Sequence, residues 1–85
     1  MNLIPRLAPG CRLDDAEDLL LIPEGALELK GPGRAILELC DGTRPLAEVV
    51  SELQSRFPAA DPARIEAEVQ AFLDRLHEKR VIDFE

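Results

Sequence analysis

The stretch Leu19-Leu20-Leu21-Ile22-Pro23-Glu24-Gly25-Ala26-Leu27-Glu28-Leu29-Lys30 decides the fold. Residues 18–22 form a short, strongly apolar run. Pro23-Glu24-Gly25 is turn chemistry, because proline presets φ at about −65° and glycine supplies a positive φ. Residues 26–30 then alternate, with Leu27 and Leu29 on one face and Glu28 and Lys30 on the other, which is the period of a half-buried strand. Ala, Leu and Glu are good helix formers, but Gly25 and Gly31 hold the segment to a length that favours a strand. Upstream, residues 11–14 read as a weaker strand, joined to the apolar run by the polar Asp15-Ala16-Glu17. Three short strands in succession predict an antiparallel meander with residues 26–30 at an edge.

The remainder of the chain is helical in pattern. Gly31-Pro32-Gly33 opens a helix of about two turns over residues 34–40, with Ile36, Leu37 and Cys40 inward and Asp41-Gly42 ending it. A second helix over 46–57 places Leu46, Val49, Val50, Leu53 and Phe57 on one stripe. Asp61-Pro62 starts a third, since the carboxylate caps free N–H groups and proline suits the first turn. That helix runs to residue 79 with Ile65, Val69, Phe72 and Leu76 inward, and His77, Lys79 and Arg80 carry the sign preferred at its negative end. Residues 81–84 read as a short terminal strand or an apolar tail. Strands followed by helices with short connections predict an α+β, winged-helix-like domain over residues 11–85: a three-stranded antiparallel sheet and then three helices. Residues 1–10, with Pro5, Pro9 and Gly10, read as an extended N-terminal tail. Its Leu3, Ile4 and Leu7 have apolar surface to bury against the domain or a neighbouring subunit.

Composition narrows the function. The 85 residues carry 10 Lys and Arg against 17 Asp and Glu, a net charge of −7. The excess is spread evenly, with five basic and eight acidic side chains in residues 1–44 and five and nine in 45–85. A phosphate backbone is bound by clustered cations, so this surface speaks against nucleic acid and anionic membranes. No apolar run approaches the length of a membrane span, and the N-terminus has no signal-peptide pattern. The expectation is a cytoplasmic protein with free thiols at Cys11 and Cys40, the latter a small core hydrophobe. Catalysis has little to work with. There is one histidine, His77, read as a solvated helix residue, and Ser51 and Ser55 lie near glutamates rather than near a base. Nothing suggests a metal site or cofactor, and Gly31 and Gly33 lack the Gly-Lys-Ser/Thr that a phosphate loop needs.

The edge strand is the informative feature. Residues 26–30 contain no proline, and their one lysine comes at the end, so the unpaired N–H and C=O groups of such an edge can accept a peptide as an added strand. The N-terminal tail, residues 81–84 or a second subunit are the other candidates for covering it, and the residue pattern leaves these alternatives open.

At Arg6-Leu7, Arg12-Leu13, Pro23-Glu24-Gly25, Leu27-Glu28-Leu29, Ile36-Leu37, Ala47-Glu48-Val49-Val50 and above all Leu39-Cys40-Asp41-Gly42-Thr43-Arg44, the chain resembles the PqqD family of pyrroloquinoline quinone biosynthesis. The resemblance implies a non-enzymatic peptide chaperone, a recognition element for ribosomally made and modified peptides (a RiPP recognition element). It also implies the partners: the precursor peptide PqqA, taken as an extra strand, and the radical SAM enzyme PqqE, to which the peptide is presented. Carried onto this sequence, it puts backbone pairing on Ala26, Leu27, Glu28, Leu29 and Lys30. Phe72 and Leu76 would floor the cleft and Glu68 and Arg75 would stand at its margin, with Glu66 and Leu73 marking the opposite flank of the helix. Two departures concern helix starts. Lys30-Gly31-Pro32-Gly33 replaces an Asn-x-Thr-Ala-like opening, and Pro45 replaces a threonine that would form a capping box with Glu48. Both are expected to bear on stability more than on the groove. The alternatives are a winged-helix DNA-binding regulator and an obligate self-associating assembly subunit, such as a homodimer, whose edge strand and apolar tail pair with a second copy. The former is disfavoured by four basic against seven acidic residues between Leu46 and Lys79.

Overall fold

Pro23 and Glu24 form a two-residue loop in a computed structural model that describes residues 3–85. The loop joins β3 (Leu19–Ile22) to β4 (Gly25–Glu28), labelled in chain order, with Ile22 opposite Gly25 and Leu20 opposite Leu27. Gly25 adopts φ 148°, a backbone region closed to most L-residues, so the glycine of the turn is required by geometry. A two-residue strand, β2 (Arg12–Leu13), flanks β3 on its other side, giving the antiparallel order β2-β3-β4. β4 ends two residues before the expected Lys30. The Leu29 N–H still reaches the Asp18 carbonyl at 2.8 Å, but the Lys30 carbonyl already accepts from the Gly33 N–H at 3.2 Å. Lys30 therefore begins the turn into the first helix.

The helices are α1 (Gly33–Glu38), α2 (Leu46–Arg56) and α3 (Pro62–Glu78). The Asp61 side chain accepts from the Ala63 N–H at 3.0 Å with Pro62 at the first helical position, the start that the sequence calls for. Ile36, Leu37, Cys40, Val49, Val50, Leu53, Ile65, Val69 and Leu76 join Leu20 and Leu29 in one core. Three expected inward positions differ, and the first, Leu46 at the start of α2, is half-buried. Phe57 is 45% exposed, because it sits at the cap of α2 with φ −125°, where the helical phase has ended. On α3 it is Leu73 that is fully buried, while Phe72 is half-buried. Leu73 follows Val69 by four residues and stays on its stripe, and α3 packs on both α2 and the C-terminal strand, so its apolar face is wider than one partner requires.

The N-terminal segment is not a loose extension. β1 (Pro5–Leu7) pairs antiparallel with β5 (Ile82–Phe84) in a separate two-stranded sheet, and the pairing extends outward through Ile4 with Glu85 and Ala8 with Val81. Met1 and Asn2, the first residues of the expected tail, lie outside the described residues. Ile82 and Pro5 are fully buried. The Leu3 carbonyl accepts from the Leu46 N–H at 2.7 Å, supplying the start of α2 with a partner that Pro45 has no side chain to give.

The reversal from α3 into β5 is a six-residue cap. Val81 N–H bonds to the Leu76 carbonyl and Arg80 N–H to the His77 carbonyl, with buried Val81 beside Leu76. Arg80 occupies the left-handed position of this motif at φ 61°, where glycine is the usual residue. Arg80→Gly is expected to raise stability by about 1 kcal/mol, the cost of a Cβ in that region. Urea unfolding checks this, and an unchanged or lower midpoint would contradict the strain.

Candidate functional site

Because β1 and β5 pair with each other, neither terminal segment lies on β4. In an antiparallel ladder the main-chain polar groups of successive residues point to alternate sides. Leu29 directs its N–H at β3 through Asp18, so Leu27 and Gly25 share that direction, and Ala26 and Glu28 turn their N–H and C=O groups to the open edge.

Beside this edge runs a cleft of about 270 Å³. Leu27, Glu28, Leu29 and Lys30 form one wall, and Phe72, Arg75, Leu76 and Lys79 of α3 form the other. The four helix residues are spaced i, i+3, i+4 and i+7, which sets them on one face. Buried Leu29 and Leu76 with half-buried Phe72 make the floor, while Glu28, Lys30, Arg75 and Lys79 are exposed at the rim. Gly33 shapes the floor from the side: a Cβ there would meet the Phe72 ring at 3.2 Å and Leu29 at 3.5 Å. The helix start at Gly33 thus bears directly on the groove, contrary to the expectation that it would concern stability more than the groove.

Seven of the nine anticipated residues line this one cleft. Ala26 lies on the edge strand outside its lining, and Glu68 lies one turn earlier on α3, held by Arg64 at 3.0 Å. Glu68 instead lines an adjoining hollow with Lys30, Phe72 and Arg75. Through Pro32, Ile36 and Glu68 that hollow opens toward a more apolar one of about 340 Å³ between the start of α1 and the end of α2, where Phe57 is exposed. On the opposite flank of α3, Leu73 is fully buried in the core and Glu66 is exposed. Lys79 was not among the anticipated residues. Its signal was its spacing four residues after Arg75, outweighed by the reading of it as a helix-end charge.

The Leu39-Cys40-Asp41-Gly42-Thr43-Arg44 stretch contributes nothing to this lining. Leu39 and Cys40 are core residues. Asp41 accepts from the Thr43 hydroxyl at 2.6 Å and the Thr43 N–H at 3.0 Å, which with the nearby Arg44 guanidinium holds its carboxyl below the usual range. Asp41 also bridges to Arg6 of β1, so the turn helps to seat the N-terminal strand. The Cys40 thiol donates to the Ile36 carbonyl, and burial, with the neighbouring Asp41 charge, pushes its pKa up to about 12. Cys11 is raised too, by burial and then by Glu24 and Asp83, and both thiols are free. Among the described residues no group of three or more His, Cys, Asp or Glu is placed to hold a metal ion, and no helix is long and apolar enough to cross a membrane.

Comparison with known proteins matches this geometry to a family. A family model described as Coenzyme PQQ synthesis protein D (PqqD) matches residues 17–82. A Xanthomonas euvesicatoria protein named PqqA binding protein is 43% identical over 82 residues, spanning 92% of this chain and 88% of that one. An Azotobacter vinelandii protein of the same name is 38% identical over 87 aligned residues, spanning 98% and 92%. The solution structure of the PqqD truncation of Methylobacterium extorquens PqqCD, described as a functional, stand-alone RiPP recognition element, superposes with a TM-score of 0.73. It is 35% identical and covers 93% of this chain and 87% of that one.

Gly33→Ala is expected to displace the Phe72 ring and shift its proton resonances, while the melting temperature stays within about 5 °C because a ring edge yields more cheaply than backbone. Unmoved ring resonances would contradict the contact. For Cys40, a folded pKa above the ordinary value of 9.0 means that stability from the neutral buried thiol is present below pH 9 and lost as pH rises toward about 12. Unfolding free energy should fall over that window more steeply in the native protein than in Cys40→Ala, and parallel profiles would overturn the assignment.

Proposed function

Since the chain belongs to the PqqD family, we propose that it is a peptide chaperone of pyrroloquinoline quinone biosynthesis. It binds the precursor peptide PqqA as an added strand on β4 and performs no chemistry itself. The observation that carries this reading is an open strand edge lying directly beside a cleft with an apolar floor. Main-chain groups of Ala26 and Glu28 supply hydrogen bonds to any extended partner, and pockets along the cleft take alternate side chains. The names of the related proteins support the peptide's identity.

Presentation of the bound peptide to the radical SAM enzyme PqqE in the cytoplasm is the further step in this reading, supported by the family resemblance. A recognition element suits the step physically. Strand addition leaves the peptide beyond the four residues of β4 free to reach another active site.

Titration of ¹⁵N-labelled protein with PqqA is expected to shift the amides of Ala26, Leu27, Glu28, Leu29 and Lys30 and of Phe72, Arg75 and Leu76. Spectra unchanged at saturating peptide would sink the proposal. Ala26→Pro removes an outward N–H at a position where an edge strand tolerates proline. It should weaken peptide affinity by about tenfold without lowering helix content. Undiminished affinity in a folded variant would place the peptide elsewhere.

A further inference from the structure

Four of the ten basic side chains are held in ion pairs: Arg6 with Glu85, Arg44 with Asp41, Arg56 with Glu52 and Arg64 with Glu68. Arg34 is committed to the carbonyls of Asp14 and Glu17. Among the described residues that leaves Arg12, Lys30, Arg75, Lys79 and Arg80 without an ion pair, and three of these five line the single cleft beside β4. The chain as a whole carries −7, so an even spread of charge would not place its free cations there. One carboxylate, Glu28, shares the cleft and makes no ion pair with them, and Glu68 along the helix is engaged by Arg64.

A groove built only for main-chain pairing has no use for three unpaired cations around an apolar floor. Resting on the strand-addition reading above, we infer that the cleft selects an acidic extended segment. The segment's carboxylates pair with Lys30, Arg75 and Lys79 while apolar side chains between them rest on Phe72 and Leu76. Arg75 and Lys79 stand four residues apart on one helix face, and Lys30, in the turn just beyond β4, lines the same cleft. Carboxylates on an extended chain meet such a lip from one side as the backbone pairs with the strand. A peptide is favoured over nucleic acid because the cations flank an apolar floor and a free strand edge, and the surrounding surface is acidic.

Calorimetric titration separates the layers of this inference, using the synthetic precursor peptide and a copy with every Asp and Glu replaced by Asn and Gln. The neutral copy is expected to bind about tenfold more weakly, and raising salt from 50 to 500 mM should weaken the native peptide by a similar factor while barely affecting the copy. Arg75→Glu combined with Lys79→Glu should cost the native peptide at least as much, and Arg12→Glu, outside the cleft, should cost nothing. A copy bound as tightly as the native peptide, with no salt dependence, overturns the charge selection and leaves strand addition standing. Duplex DNA bound as tightly as the peptide overturns the choice of ligand. Failure of the native peptide to bind at all overturns the strand-addition reading and this inference with it.

Discussion

The pairing of β1 with β5 is the constraint on which the rest depends. Each strand is three residues long and has an edge to satisfy. Mutual pairing buries Pro5 and Ile82, fixes the Leu3 carbonyl at the start of α2 and brings Arg6 against the Asp41 turn. It also decides what happens elsewhere. Either segment, laid instead along β4, would close the edge beside the cleft lined by Phe72, Arg75, Leu76 and Lys79. With the two ends occupied by each other, the outward groups of Ala26 and Glu28 remain available. The edge of β4 is thus left open by a contact that involves none of its own residues.

The cleft is kept in shape because its floor is shared with the core. Leu29 and Leu76 are buried members of the main cluster, and Phe72 packs against it from the side. Gly33 lets α1 approach within contact of the Phe72 ring, where any larger residue would have to move it. Both walls are regular elements or lead directly out of one, so the two sides hold their spacing without a ligand. Such preorganisation lowers the ordering cost of binding. In a domain this small the same arrangement ties binding to stability, since a peptide covering the floor adds apolar burial to the native state alone.

Local features were legible in the sequence. The Pro23-Glu24-Gly25 turn, the Asp61-Pro62 helix start and the alternation through Leu27 and Leu29 each involve neighbours within a few residues, and each appears where expected. The β1–β5 pair was not legible, because its partners stand at opposite ends of the chain and each is too short to show a period. The phase of α3 was misjudged by one position at Phe72 and Leu73 because the helix serves two partners at once, which a single stripe does not reveal. Most of the cleft was anticipated, but through the family resemblance rather than periodicity. The most diagnostic motif, from Leu39 to Arg44, proves to be a structural turn that receives the N-terminal strand. The free cations are not legible in the sequence for a related reason: a tally of charge along the helices records their number but not which of them lack partners.

An unprotected edge must still be kept from pairing with its own kind. Proline and bulges, the common guards, are absent from β4, and its outward side chains are only Ala26 and Glu28. Brevity is one safeguard, since four residues offer few bonds to a second copy. Charge is another. If two copies met edge to edge about a twofold axis, the cleft of each would be brought toward the other, setting Lys30, Arg75 and Lys79 near the same three cations at low separation. An acidic peptide experiences the opposite field. On the charge selection inferred above, the same lip would also oppose a homodimer formed through this edge, so that a single placement of charge would serve both affinity for the partner and rejection of self.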